Sequence, residues 1–151
     1  MHSNPSSNGY LHACEIVSDL LKSHGITGPP VDVNKICRVN SLLIERQILE
    51  DPFRAYLDRS NRLIVVNSRM REARARFYIA HELGHWLLDR DMHEISYDTF
   101  AACLLMPHEW IAEDVRRLGE PALMTRYEVT APVLRRRLKL GGLEVEAEVP
   151  F

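Results

Sequence analysis

The chain has 151 residues, 46% of them hydrophobic and 26% charged, with a formal net charge of −2. That length suits one ordinary domain and excludes two of usual size. The near-neutral charge argues against a general binder of nucleic acid or anionic lipid, and the longest clean apolar run, residues 101–106, is too short to span a membrane.

Residues 1–9 read as a polar, disordered tail, and residues 10–151 as a single domain. No basic segment followed by an apolar stretch marks a secretory signal. Three scattered cysteines, Cys14, Cys37 and Cys103, form no CxxC pair. That pattern suits small buried side chains in a reducing compartment, so a cytoplasmic protein is expected.

A helix is expected over 10–23, where Ile16, Val17, Leu20 and Leu21 recur at helical spacing ahead of Gly25. The Pro29-Pro30 turn follows, and Asp32 can cap a short helix through residues 33–39. Residues 41–49 read as a strand, and 53–67 as a hairpin around Arg59-Ser60-Asn61. Asn67 or Ser68 can cap a long helix containing residues 69–90. Phe77, Ala80, Gly84, Leu87 and Leu88 share its apolar side, and Arg69, Arg71, Arg74 and Arg76 form its solvated early part. A break near 89–92 precedes helices over 93–105 and 108–119, the second closed by Gly119. Two short helices over 121–143 meet at Val129-Thr130, and 143–151 alternates like a strand. The expected class is α+β, a small sheet first and helices after.

The chemistry concentrates in HELGH, residues 81–85. On a helix, His81 and His85 stack on one face, so two imidazoles can meet one Zn²⁺ at about 2.0–2.1 Å. Glu82 is rotated roughly 100° from His81, beside the metal position, where its carboxylate can take a proton from an attacking water. Gly84 leaves room for another part of the protein, or a substrate, to approach. The plainer alternative is a helix whose histidines are only packed and hydrogen-bonded.

A site needs a third ligand. The pattern HExxHxxGxxH fails, because Leu88 and Asp91 stand at its last two marked positions. Asp89, Asp91, His93, Glu94 and Asp98 are the nearby candidates. Glu94 and Asp98, four apart at the start of the next expected helix, suit a ligand and an orienting partner: Glu94 on the metal, Asp98 accepting the other N–H of His81 or His85. Mn²⁺ or Fe²⁺ could occupy the same ligands.

These residues, FYIAHELGHWLL at 77–88 followed by Glu94, Asp98 and FAACLLMP at 100–107, resemble the ImmA/IrrE family of metallopeptidases. The segments 28–37, 62–77 and 127–143 are similar to corresponding parts of that family, the last to a helix-turn-helix-like pair. The resemblance implies a zincin-like metallopeptidase fold of the gluzincin kind. It implies His81, His85 and Glu94 as metal ligands and Glu82 as general base. It further implies an endopeptidase acting on a specific protein, usually a helix-turn-helix transcriptional repressor, in a mobile-element, stress or toxin–antitoxin setting. The alternative is a protein of this fold that binds a regulator without cleaving it. Many members carry a second Glu where this chain has Ser96, and His93 or Asp91 competes with Glu94 for the metal.

Other motifs have simpler readings. Tyr78, Tyr97, His93 and His108 could stabilise an oxyanion, but packing or exposure explains each, and none is assigned. LRRRLK at 134–139 reads as a solvated helix face with cations near its C-terminus, in preference to a DNA-reading helix or a docking surface. No direct nucleic-acid binding is expected. Trp86 and Trp110 read as core or groove walls.

The ligand assignment has a direct test. Glu94→Ala should weaken zinc binding at least about 100-fold, whereas Ser96→Ala leaves it within about twofold, in competitive titration against a zinc-sensitive dye. The reverse order would move the third ligand elsewhere.

Overall fold

The computed structural model describes residues 5–88 and 95–146. These form α1 (Pro5–Ser23), α2 (Val33–Val39), β1 (Leu43–Gln47), β2 (Ala55–Asp58), β3 (Leu63–Asn67), α3 (Glu72–Leu87), α4 (Tyr97–Leu105), α5 (His108–Asp114), α6 (Glu120–Tyr127) and α7 (Ala131–Gly141). The class is mixed α+β, with the small sheet lying between α2 and α3 in the chain. No helix among the described residues is long and apolar enough to cross a membrane.

α1 starts at Pro5, ahead of the expected start at Tyr10, and buries Ala13, Val17 and Leu21 along one stripe. It closes as the sequence predicts. Gly25 takes φ +65°, and the Ile26 N–H reaches back to the Leu21 carbonyl at 2.9 Å. α2 is capped by Asp32, whose Oδ1 accepts from the Lys35 N–H at 2.9 Å. The expected hairpin is present, and Asp58 holds its turn by accepting from Ser60 and Asn61. β3 is the central strand of the order β1-β3-β2, parallel to β1 and antiparallel to β2. Its Ile64, Val65 and Val66 are fully buried.

α4 is the hydrophobic centre of the molecule. Residues 100–106 are all buried, with α3 packed on one side and α1 and α7 on others. AACLLM is thus core behind the HELGH helix.

Several local expectations are corrected. Asn67 does not cap α3. It ends β3 as a buried side chain, donating to the Leu49 and Phe53 carbonyls and accepting from the Arg69 N–H, and α3 begins only at Glu72. Gly119 does not close α5, which stops at Asp114; it is instead the N-cap residue of α6. α4 begins at Tyr97, later than the expected start at 93, with Ser96 as N-cap, its hydroxyl accepting from the Thr99 N–H. Residues 143–146 form no strand; the rest of the tail lies outside the described residues.

Two arginines read as solvated are buried. Arg76 is 7% exposed. Its Nε donates to the Glu128 carbonyl at 3.2 Å, and the Glu128 carboxylate lies 3.6 Å away. Arg137, from LRRRLK, is fully buried and donates through Nε to the Met106 carbonyl at 2.8 Å, whereas Arg135 and Arg136 are exposed. Each guanidinium ties a helix to the end of another element, a role that hydropathy patterning does not reveal.

The α5–α6 corner turns on Asp114, buried at 3% exposure. It accepts from Arg117 at 2.9 Å, from Arg126 at 2.7 Å and from the Tyr127 hydroxyl. Burial pushes its carboxyl up, but hydrogen bonds from Tyr127, Arg126 and Arg117 outweigh that and hold it below the usual carboxylate range. A depressed folded-state value means stability that is present above the unfolded value, near about 4, and lost as pH falls through the folded one. Asp114→Asn should therefore cost about 2–4 kcal/mol at pH 7 by urea denaturation, with the gap to wild type narrowing below about pH 4.

Candidate metal centre

The sequence ARFYIAHELGHWL builds α3 so that His81 and His85 lie one turn apart on a half-buried face, while Ile79, Ala80, Leu83 and Gly84 are buried. The His81 Nε2 and His85 Nε2 atoms are 3.2 Å apart. Two nitrogens bound to one tetrahedral ion at about 2.0–2.1 Å would lie about 3.3–3.4 Å apart, so the pair has the separation such an ion requires. With a Glu82 oxygen, the donor atoms lie within 4.8 Å of one another.

Asp98 of α4 fixes the tautomer. Its Oδ1 is 2.8 Å from His81 Nδ1, so Nδ1–H donates to the carboxylate and Nε2 keeps its lone pair for a metal. Oδ2 accepts from Arg136 of α7 at 3.1 Å. Sequence reasoning anticipated Asp98 but not Arg136; the available clue was a cation-rich LRRRLK segment, which says nothing about where each arginine points.

His85 is held differently. Its ring stacks on Tyr97 at 3.7 Å between centroids and 31° between planes. Burial, then His81 and Arg59, lower its pKa, so the ring is neutral near pH 7, as a ligand must be. Arg59 of the hairpin also donates to the His85 backbone carbonyl. Glu82 is buried, and desolvation, opposed by His81, pushes its carboxyl above the usual range.

Gly84 makes the arrangement possible. A Cβ there would stand 2.8 Å from Phe100 Cδ1 and 3.4 Å from Tyr97 Cδ1. Its missing side chain admits α4 rather than a substrate, which brings Tyr97 and Asp98 up to the histidines.

Glu94, the expected third ligand, lies outside the described residues, as do Asp89, Asp91 and His93. Of the other oxyanion candidates, Tyr97 stands beside both histidines, with its ring 5.9 Å from that of His81. Tyr78 lies between Arg54 and Arg74. His108 pairs through Nδ1 with the Tyr10 hydroxyl at 3.2 Å, at the start of α5. Trp86 lies under Arg59 and Arg62 of the hairpin.

The model of the Peptidase M78 family, described as an IrrE N-terminal-like domain, matches residues 48–139. A protein of Bacillus phage phi105, an uncharacterized immunity region protein 2, is 31% identical over 74 residues, 39% of this chain and 46% of that protein. The fold is similar to that of a Mycobacterium tuberculosis transcriptional regulator, with TM-score 0.69 and 12% identity, covering 91% of this chain and 52% of that one. The chain thus spans about half the length of the relatives it matches.

Asp98→Ala should weaken zinc binding about 10–100-fold in dye competition with the far-ultraviolet spectrum unchanged, because it releases His81 without removing a ligand. Unaltered affinity would mean that the His81 contact is structural.

Proposed function

Because this chain belongs to the Peptidase M78 family, we propose that it is a zinc-dependent endopeptidase of zincin-like fold that cleaves a specific protein. Residues 10–151 act as one domain. His81, His85 and Glu94 hold the metal, Glu82 is the general base, and Asp98 orients His81. The observation that carries this reading is the Nε2–Nε2 pair at 3.2 Å, held by Asp98, with a buried carboxylate beside it.

A divalent cation at this position supplies Lewis-acid polarisation of the scissile carbonyl and of the attacking water. Glu82 takes the proton of that water on its carboxylate and delivers it to the leaving amine nitrogen. Asp98 and Arg136 keep the His81 ring in one tautomer and orientation, and Tyr97 braces His85.

The substrate is a helix-turn-helix transcriptional repressor whose cleavage relieves repression, in the cytoplasm. The likeness to an immunity region protein of a bacteriophage supports a mobile-element setting. The resemblance of the HELGH and FAACLLMP segments to the ImmA/IrrE family supports the same substrate class.

The test takes helix-turn-helix repressors encoded in the neighbourhood of this chain's gene as candidate substrates, incubated with zinc-loaded protein and followed by gel and mass spectrometry. Glu82→Gln should lower cleavage by about 10²–10⁴-fold while metal stoichiometry stays at the wild-type level. A chelator should stop the wild type, and added zinc should restore it. Cleavage by Glu82→Gln at the wild-type rate would overturn the role of the base. A repressor that co-elutes intact with the zinc-loaded wild type would favour binding without hydrolysis.

A further inference from the structure

Cations gather on both sides of the histidine pair. α3 carries two half-buried aromatic residues there, Tyr78 one turn before His81 and Trp86 just after His85. Each ring has two guanidinium groups near it. Arg54, beside β2, and Arg74 of α3 lie 5.8 and 5.9 Å from the centre of the Tyr78 ring. Arg59 and Arg62 of the hairpin lie 5.8 and 5.4 Å from that of Trp86. All four are exposed. Among the described residues, none of them is within ion-pair distance of a carboxylate. A fifth arginine, Arg136 of α7, stands behind His81 through Asp98. In a chain of net charge −2, a local excess of cation around one site favours an anionic visitor.

An open pocket of about 670 Å³ lies between α3 and α7 on the Tyr78 side. Phe77, Tyr78, Pro132 and Val133 give it apolar walls, Arg74 and Arg136 add charge, and no carboxylate among the described residues lines it. Arg136 also donates to Asp98, so one side chain serves both the pocket wall and the partner of His81. Walls of this kind suit an apolar side chain, which a nucleic-acid strand does not project. A polypeptide offers apolar and carboxylate groups a few residues apart. Tyr78 and Trp86 are eight positions apart on one helix, a rise of about 12 Å, which an extended peptide covers in about four residues.

We propose that the chain selects an acidic–apolar segment of its protein substrate. An apolar side chain of that segment enters the pocket between α3 and α7. Two carboxylate residues about four positions apart pair with Arg54 and Arg74 on one side of the histidines and with Arg59 and Arg62 on the other. This inference deepens the peptidase reading and rests on it: it names the chemistry of the segment laid across the same centre.

The four arginines at the two rings determine specificity and touch no reacting atom. Exposed pairs of this kind add modest affinity each, are screened by salt, and act mainly on encounter and on the choice among partners. The apolar side chain supplies the larger part of the binding, because its burial removes hydrocarbon from water. The two contributions are separable, one by salt and one by the identity of the central side chains.

The test measures fluorescence anisotropy of a fluorescein-labelled peptide, Ser-Glu-Ala-Leu-Phe-Glu-Ser, on the zinc-loaded full chain carrying Glu82→Gln, with peptide integrity followed by mass spectrometry. At about 50 mM salt it should bind about tenfold tighter than the same peptide with glutamine at both glutamate positions, and the lysine version should bind more weakly still. At about 0.5 M salt the glutamate and glutamine peptides should agree within about twofold. Serines in place of Leu-Phe should cost at least about tenfold. Arg74→Glu and Arg62→Glu should each shrink the glutamate preference at least about threefold, whereas Arg38→Glu, at an exposed position on α2, should leave it within about 1.5-fold. Equal affinity for the glutamate, glutamine and lysine peptides at low salt, no loss with the serines, or a loss in Arg38→Glu as large as in Arg74→Glu overturns the proposal. So does tighter binding of a DNA duplex of about 20 base pairs, which would give these arginines to phosphates. A wild-type chain that prefers the acidic peptide but never cuts it sinks the peptidase reading alone; cleavage of all the peptides at one rate, without preference, sinks this proposal alone.

Discussion

The approach of α4 to α3 at Gly84 is the constraint on which the candidate centre depends. Histidines at i and i+4 face the same way on any helix. They become a defined pair here because α4 comes close enough for Asp98 to hold His81 and for Tyr97 to stack on His85. A side chain at position 84 would meet the Phe100 ring at 2.8 Å, closer than packed atoms tolerate. The fully buried run on α4 is the other half of the same contact, anchoring the helix that carries the polar partners.

The polar centre is built in layers that cross the fold. His81 lies on α3, Asp98 on α4 and Arg136 on α7. Nearby, Arg76 of α3 clasps the carbonyls at the α6 C-terminus, where Glu128 adopts φ +53°. Arg137 of α7 clasps the end of α4 through the Met106 carbonyl. Helix-end carbonyls lack partners within their own helix, and the dipole there favours cations. Buried guanidinium groups answer both needs, which accounts for the two arginines in the interior.

Much of this was legible in the chain, for identifiable reasons. HELGH at helical spacing announced the histidine pair, and Asp32 and Gly25 announced a helix start and a helix stop, because each rests on local geometry. Asp98 was legible as a partner of one of the two histidines, although its helix starts later than its sequence suggests, at Tyr97 with Ser96 as the cap. The buried arginines were not legible, because a charged side chain carries no mark of burial until its partners, dozens of residues away, are known. Asn67 misled for a related reason. Its side chain suits a helix cap, but the strand end it occupies offered three nearby backbone partners.

The hydrogen bond from Arg59 to the His85 carbonyl joins the tip of the β2–β3 hairpin to the closing turn of α3. Arg59 and Arg62 also rest against Trp86, the next residue along. The hairpin tip is exposed, yet one hydrogen bond ties it to the backbone of a residue whose ring is one of the two facing imidazoles. Any displacement of this tip therefore pulls first on the last turn of α3, from which one of the two rings springs.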